Sequence, residues 1–306
     1  MSTGQFKKEQ VAPHEPACSG PAPVIKHKIW IALGQVFLAW FLISASAQTL
    51  YEGALNRLPS QEGWVYGAYP GGAVQTLGAD AVRLDTSIAA EEQAGYARTT
   101  PIALDREAGF TILFTVRVER ESHGSADRAG FSVIVLGHDQ RGIELGFWTN
   151  AVFAQADLPL FTHAEEALCD TASAFVDYAL TLGRDRYELR AGGQRLLEGP
   201  VRDYTAFSGS PSPYETLDFV FLGDDTTSAC GVVSIRRVVV VPAPVLQIRA
   251  DGLVTWTGVT NVPYTVQASA DLGTWISSAP VTSATGHFTS GVVPSPGGRF
   301  LRVAGP

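Results

Sequence analysis

Lysine is absent from this chain after Lys28, so the later positive charge rests on arginine alone. Setting aside the four Lys and two Glu of residues 1–47 leaves 18 basic against 28 acidic residues, a net charge of −10. No basic stripe and no interleaving of arginine with aromatics runs through the sequence, which excludes a nucleic-acid partner. Cysteine is scarce, with three in 306 residues. Neither C-x-x-C nor H-E-x-x-H occurs, so nothing supports a zinc site. A glycine-rich phosphate loop between a strand and a helix is missing, as is the G-x-S-x-G elbow of serine hydrolases. So is E-x-D-x-x-E, the strand spacing that would present an acid and a nucleophile on one face for glycoside hydrolysis. A helical period is almost wholly lacking.

What is present begins with an address. Lys26-His27-Lys28 is basic, Ile29 to Ser44 is a 16-residue apolar run, and Ala45-Ser46-Ala47 is a small-residue cleavage site. Residues 1–47 are therefore expected to be a leader cleaved after Ala47, sending a chain that starts at Gln48 to the exterior or the cell surface. The alternative is an uncleaved anchor, for which the apolar run falls short of the roughly 20 residues a span needs. Residues 1–25 are polar and proline-rich, unlike a compact basic segment. No apolar helix followed by arginines closes the sequence, so no permanent membrane anchor is expected after cleavage. With Cys18 in the leader, Cys169 and Cys230 remain. An even count in an exported chain predicts a disulfide between them, the alternative being two buried thiols.

The rest reads as all-β: a two-sheet jelly-roll sandwich over 48–240, a proline linker over 241–245 and a small β-sandwich over 246–306. Phe110 to Val118 alternates in its second half, so one face should be buried. Phe131 to Leu136 is nearly continuous and should be a central strand. Ile143–Trp148 and Ala151–Ala156 should pair as a hairpin across Thr149-Asn150. Phe175–Leu182, Arg186–Arg190 and Gln194–Leu197 should form a meander, and Leu217–Leu222 and Val232–Val241 should close the domain. Only His163 to Leu168 invites a short helix. In the small unit the runs are Leu253–Trp256, Tyr264–Ala268, Gly286–Ser290 and Arg299–Val303, with Trp256 and Trp275 expected in its core.

The stretches Leu50-Tyr-Glu-Gly, Glu121-Ser-His, Asp127-Arg-Ala-Gly-Phe-Ser-Val-Ile, Gly142 to Trp148, Phe161-Thr-His-Ala-Glu165, Asp203-Tyr204 and Phe221 to Ala229 resemble the secreted bacterial choice-of-anchor domains, type Y. The resemblance implies a concanavalin A/laminin G-like jelly roll in an exported protein; it implies no reaction. Val254-Thr-Trp256, Tyr264 to Ser269, Asp271-Leu272, Trp275 and Arg299 to Val303 resemble fibronectin type III-like modules.

Candidate site residues follow from residue type. Trp148, Phe153, Tyr204 and Tyr214 could stack on sugar rings, or could be core. Trp148, Glu144 and Tyr204 are the first candidates for a binding site, with Trp148 stacking and Glu144 accepting hydroxyl hydrogen bonds. Asp224 and Asp225, followed by Thr226, Thr227 and Ser228, form the candidate calcium site, which relatives of laminin G type often hold at loop tips. The alternative is a turn with its own hydrogen bonds. Glu121, His123, Asp127 and Arg128 share one loop, read as internally bonded, with Asp127 paired to Arg128 or capping backbone amides. Glu165 and Glu166 would face opposite sides of a strand. The expectation is an exported, non-catalytic binding or surface-structural protein with a glycan as candidate partner. The alternative is a carbohydrate-active enzyme pairing Glu144 with a second acid from another strand.

Overall fold

The computed structural model describes residues 47–306 apart from 90, 102, 210–211, 244–245, 249–252, 258–261, 285–286, 292–299 and 305–306. The leader, bar Ala47, thus lies outside the described residues. The strands in chain order are β1 (Gln48–Glu52), β2 (Val65–Tyr69), β3 (Val74–Leu77), β4 (Val82–Asp85), β5 (Gln93–Thr99), β6 (Phe110–His123) and β7 (Ser132–Leu136). They continue with β8 (Gly142–Phe147), β9 (Ala151–Asp157), β10 (Leu160–Leu168), β11 (Val176–Leu182), β12 (Arg186–Ala191), β13 (Gln194–Pro200), β14 (Phe219–Asp224) and β15 (Ala229–Pro242).

These strands make two antiparallel sheets. One runs β13-β12-β11-β6-β15-β4-β3, with β1 also on β15; the other runs β10-β9-β8-β7-β14-β5-β2. The chain is all-β, and its two sheets pack as a jelly-roll sandwich. Phe110, Ile112, Phe114, Val116 and Val118 of β6 turn inward while the residues between them stay half-exposed, as the period of two requires. They meet Val133, Val135, Ile143, Leu145 and Phe147 from the facing sheet in one core. β7 is central in its sheet and buried at every residue. Its second face is covered by residues 201–218, which return across the outside of the seven-stranded sheet. Tyr204, Tyr214 and Phe219 pack there on Ile134 and Leu136.

The remaining strands, β16 (Gln247–Ile248), β17 (Leu253–Thr257), β18 (Thr265–Ser269), β19 (Ile276–Ser277), β20 (His287–Gly291) and β21 (Phe300–Ala304), form two three-stranded sheets. They enclose Val254, Trp256, Tyr264, Val266, Ala268 and Phe288. Val262 packs against Val239 and Val241 of β15.

Four expectations are corrected. His163–Leu168 is no helix but part of β10, paired to β9 through two register shifts; those irregular steps blur its strand alternation. Cys169 and Cys230 are free thiols. Cys230 lies opposite Ser122 on β6, whereas Thr171, two residues beyond Cys169, accepts from the Val118 N–H. Val118 is four residues down the same strand, about 13 Å at strand rise. Trp275 is half-buried at the surface under the Arg302 guanidinium, 4.0 Å from its ring centre. The strand β15 runs through Pro242, and the Ala243 N–H still bonds Gly109 O, so the expected linker begins as sheet.

Candidate functional site

The 201–218 connection builds the site. The β8–β9 ladder starts at Leu145↔Ala154 and leaves the Glu144 N–H and the Gln155 carbonyl open. The Tyr204 hydroxyl closes that gap, accepting from the Glu144 N–H at 3.1 Å and donating to Gln155 O at 2.8 Å. Arg202 fixes the start of the connection by forking onto Glu165 at 2.8 and 2.9 Å. Phe161 stacks on Tyr204 and contacts Phe207 and Tyr214, and the Arg128 guanidinium lies 5.1 Å from the centre of its ring.

Glu144 is 2 % exposed under this cover. Tyr214 donates to its Oε2 at 2.5 Å. Asp225, which follows β14, lies close enough for its charge to bear on the Glu144 carboxyl. Burial, and then the negative charge of Asp225, push the Glu144 carboxyl far above the usual carboxylate range, against the pull of Tyr214 and Arg128. Burial also raises Asp225, opposed by the Ser132 hydroxyl and Arg128. Asp225 is half-buried and borders the open space beside Glu144. Both shifts favour the protonated forms, most strongly at Glu144.

Beside the pair lies a cavity of about 320 Å³ lined by Arg128, Glu144, Tyr214 and Asp225, with Thr227 and Ser228 exposed at its rim. It adjoins a hollow of about 820 Å³ over β2, β5 and β14, walled by Val65, Tyr69, Ala97, Phe207 and Phe221. Gln93, Phe207, Tyr214 and Asp225 border both. The floor is flat because Gly95 has no side chain: a Cβ there would collide with the Phe221 ring that lies over it.

The structure separates the expected site residues. Glu144 and Tyr204 meet at this cleft, Tyr204 as a fully buried prop rather than a contact surface. Trp148 lies elsewhere. Its ring stacks on His123 at 4.3 Å, touches Phe153 and His163, and its N–H is spent on Arg128 O. It is half-buried, packed on His123 and against Phe153 and His163, and it lines neither part of the cleft where the stacking role was expected. Asp224 ends β14 and Asp225 lies beyond it, and the two have different neighbours. Asp224 accepts from the Thr86 hydroxyl at 2.7 Å and the Thr226 N–H, while Asp225 turns to Ser132 and Glu144. They do not converge on one ion, and among the described residues no cluster of three or more His, Cys, Asp or Glu could hold a metal. Asp127 caps the His163 N–H instead of pairing with Arg128. That frees Arg128, assigned to its own loop on sequence grounds, to serve as the cation of the cleft. Phe207 was missed as well; the one signal was an aromatic set among Ser, Gly and Pro.

No family model matches this chain, and no curated protein matches it. Among solved structures it is similar to the carbohydrate esterase vb_24B_21 from the Shiga toxin-encoding bacteriophage phi24B, at 15% identity and a TM-score of 0.41, over 63% of this chain and 98% of that one. It is similar to the carbohydrate recognition domain of Emp47p at 11% identity and 0.40, over 64% and 96%. A family 29 carbohydrate-binding module matches at 11% and 0.31, over 64% and 91%. At these scores the likeness says nothing of this chain's ligand.

Proposed function

We propose that this is an exported, non-catalytic glycan-binding protein whose saccharide lies in the cleft between the 201–218 connection and the outer face of β2, β5 and β14. One observation carries the reading: an apolar, aromatic hollow runs directly into a buried set of hydrogen-bonding groups. Saccharides present apolar C–H faces and hydroxyl edges, and a site for them needs both kinds of wall side by side. Phe207 and Phe221 offer the faces; Gln93, Asp225, Thr227 and Ser228 offer the polar partners. Kinship with choice-of-anchor and fibronectin type III-like modules belongs to this proposal and rests on the sequence motifs, as does export.

The alternative, a glycoside hydrolase, draws on the same acid pair. Retaining and inverting mechanisms hold their carboxyl groups about 5 to 9.5 Å apart, leaving room for the sugar carbon or a water. Glu144 is buried and its Oε2 is held by Tyr214, which leaves it no open face toward a leaving group or a water, so binding is the better reading. A glycan array probed with the purified protein and with Phe207→Ala tests it. Saccharide binding that Phe207→Ala weakens supports the proposal; release of reducing sugar, or binding indifferent to Phe207, opposes it.

A further inference from the structure

The polar end of the cleft closes its own charge. Glu144 and Asp225 line one cavity, and burial together with the negative charge of Asp225 favours a proton on Glu144. Tyr214 donates to Glu144 Oε2, so that proton belongs on the other oxygen. The one negative charge left on the pair is faced by Arg128, which lines the same cavity. Arg128 is itself committed, its Nη1 donating to Asp127 O at 3.1 Å and Phe161 O at 2.8 Å. The other groups around the pair add no free charge. Tyr204 and Tyr214 press on it from the 201–218 connection as neutral phenols, with Arg202 and Asp157 reaching Tyr204 from behind. Asp224 of β14 accepts from the Thr86 hydroxyl, and burial, together with the charge of Asp225, raises its carboxyl to about 8.

We propose that Glu144 and Asp225 are a specificity-determining pair that makes the cleft select uncharged, hydroxyl-bearing saccharides over carboxylate-bearing ones. The proposal rests on the saccharide reading above. A ligand hydroxyl can donate to the Asp225 carboxylate and accept from the Thr227 or Ser228 hydroxyl. A ligand carboxylate has no proton to give, meets Asp225 as a like charge, and finds the local cation already balanced. The same arrangement sets a pH direction. While the pair keeps its proton, Asp225 accepts in a neutral cluster. Once the proton is lost as pH rises, two neighbouring carboxylates repel and the Tyr214 contact beside them is disturbed. Affinity for neutral saccharides should therefore fall as pH rises.

Titration calorimetry of the purified protein tests this, using neutral oligosaccharides and uronic or sialylated ones from mildly acidic to alkaline pH. Neutral ligands should bind at least about tenfold more tightly than acidic ones and weaken toward alkaline pH. Glu144→Gln, of the same shape, should remove the pH dependence, and Asp225→Asn should narrow the preference. Equal or stronger binding of acidic saccharides overturns the specificity proposal and leaves the saccharide reading standing. No binding of either class overturns that reading and this proposal together. Should either variant fail to fold by circular dichroism, the wild-type preference and its pH profile still decide.

Discussion

The Tyr214 hydroxyl meets Glu144 Oε2 at 2.5 Å although 70 residues separate the two in sequence. This contact fastens the 201–218 connection to the middle of the seven-stranded sheet and converts a strand carboxylate into a buried acid. Tyr214→Phe removes the donor and leaves a buried acceptor short of a partner, at a cost of about 1–3 kcal/mol. Thermal unfolding should show the melting point falling by roughly 2–4 °C per kcal/mol. An unchanged melting point would show that the contact does not hold the connection.

Asp224 makes stability fall toward alkaline pH. Burial raises its carboxyl to about 8, against the hydrogen bonds from Thr86 and Thr226. A carboxyl raised in the folded state contributes stability that is complete below its unfolded value of 3.8 and is lost as pH rises through about 8. Denaturation midpoints should decline across that window. Asp224→Asn, which keeps an acceptor for Thr86, should flatten the decline; a variant profile as steep as the wild type's would exonerate Asp224.

Glu119 acts at the acid end. Burial opposes its ionisation, but hydrogen bonds from Ser234, Arg117 and Arg83 outweigh that and hold the carboxyl at about 2. A depressed carboxyl contributes stability present above its unfolded value of 4.5 and lost as pH falls through about 2. Glu119→Gln should lower stability at neutral pH and bring the acid limb closer to flat, measured by the same denaturation series.

The thiols of Cys169 and Cys230 are separate. Alkylation of unreduced, unfolded protein followed by peptide mass spectrometry should find both modified, and reductant should leave the melting point where it was. A disulfide-linked peptide containing the two would contradict the structure.

Trp148 should behave as a structural residue. It sits among His123, Phe153 and His163 with its N–H bonded. Full burial would make Trp148→Ala cost about 3–5 kcal/mol, and a half-buried ring should cost roughly half of that. Calorimetry should record this loss of stability, while any saccharide affinity per folded molecule stays close to wild type. Selective loss of binding with an intact fold would restore the ring to the site.

Much of the fold was legible along the chain. The alternation of Phe110 to Val118, the continuous apolar run of β7, the β8–β9 hairpin at Thr149-Asn150 and the meander of β11 to β13 are local patterns, and strand formation reads them directly. The strands before Phe110 were less visible: β2 and β3 are edge strands with exposed residues such as Val65, Tyr69 and Val74, so no buried face marks them.

The site divided differently. Sequence alone determined that the chain is an all-β sandwich and that Glu144 and Tyr204 deserve attention, because strand periodicity and side-chain chemistry are properties of neighbouring residues. Tertiary structure alone decided that Asp225, at the end of β14, is the acid beside Glu144, and that Arg128, still bonded to Asp127 O, lines the cavity with them. It alone turned Trp148 away from the cleft. Those outcomes depend on which strand lies beside which, and on a connection returning over a sheet face that would otherwise meet water. Burial is what makes a carboxyl keep its proton, and burial is set by the distant segment that covers it.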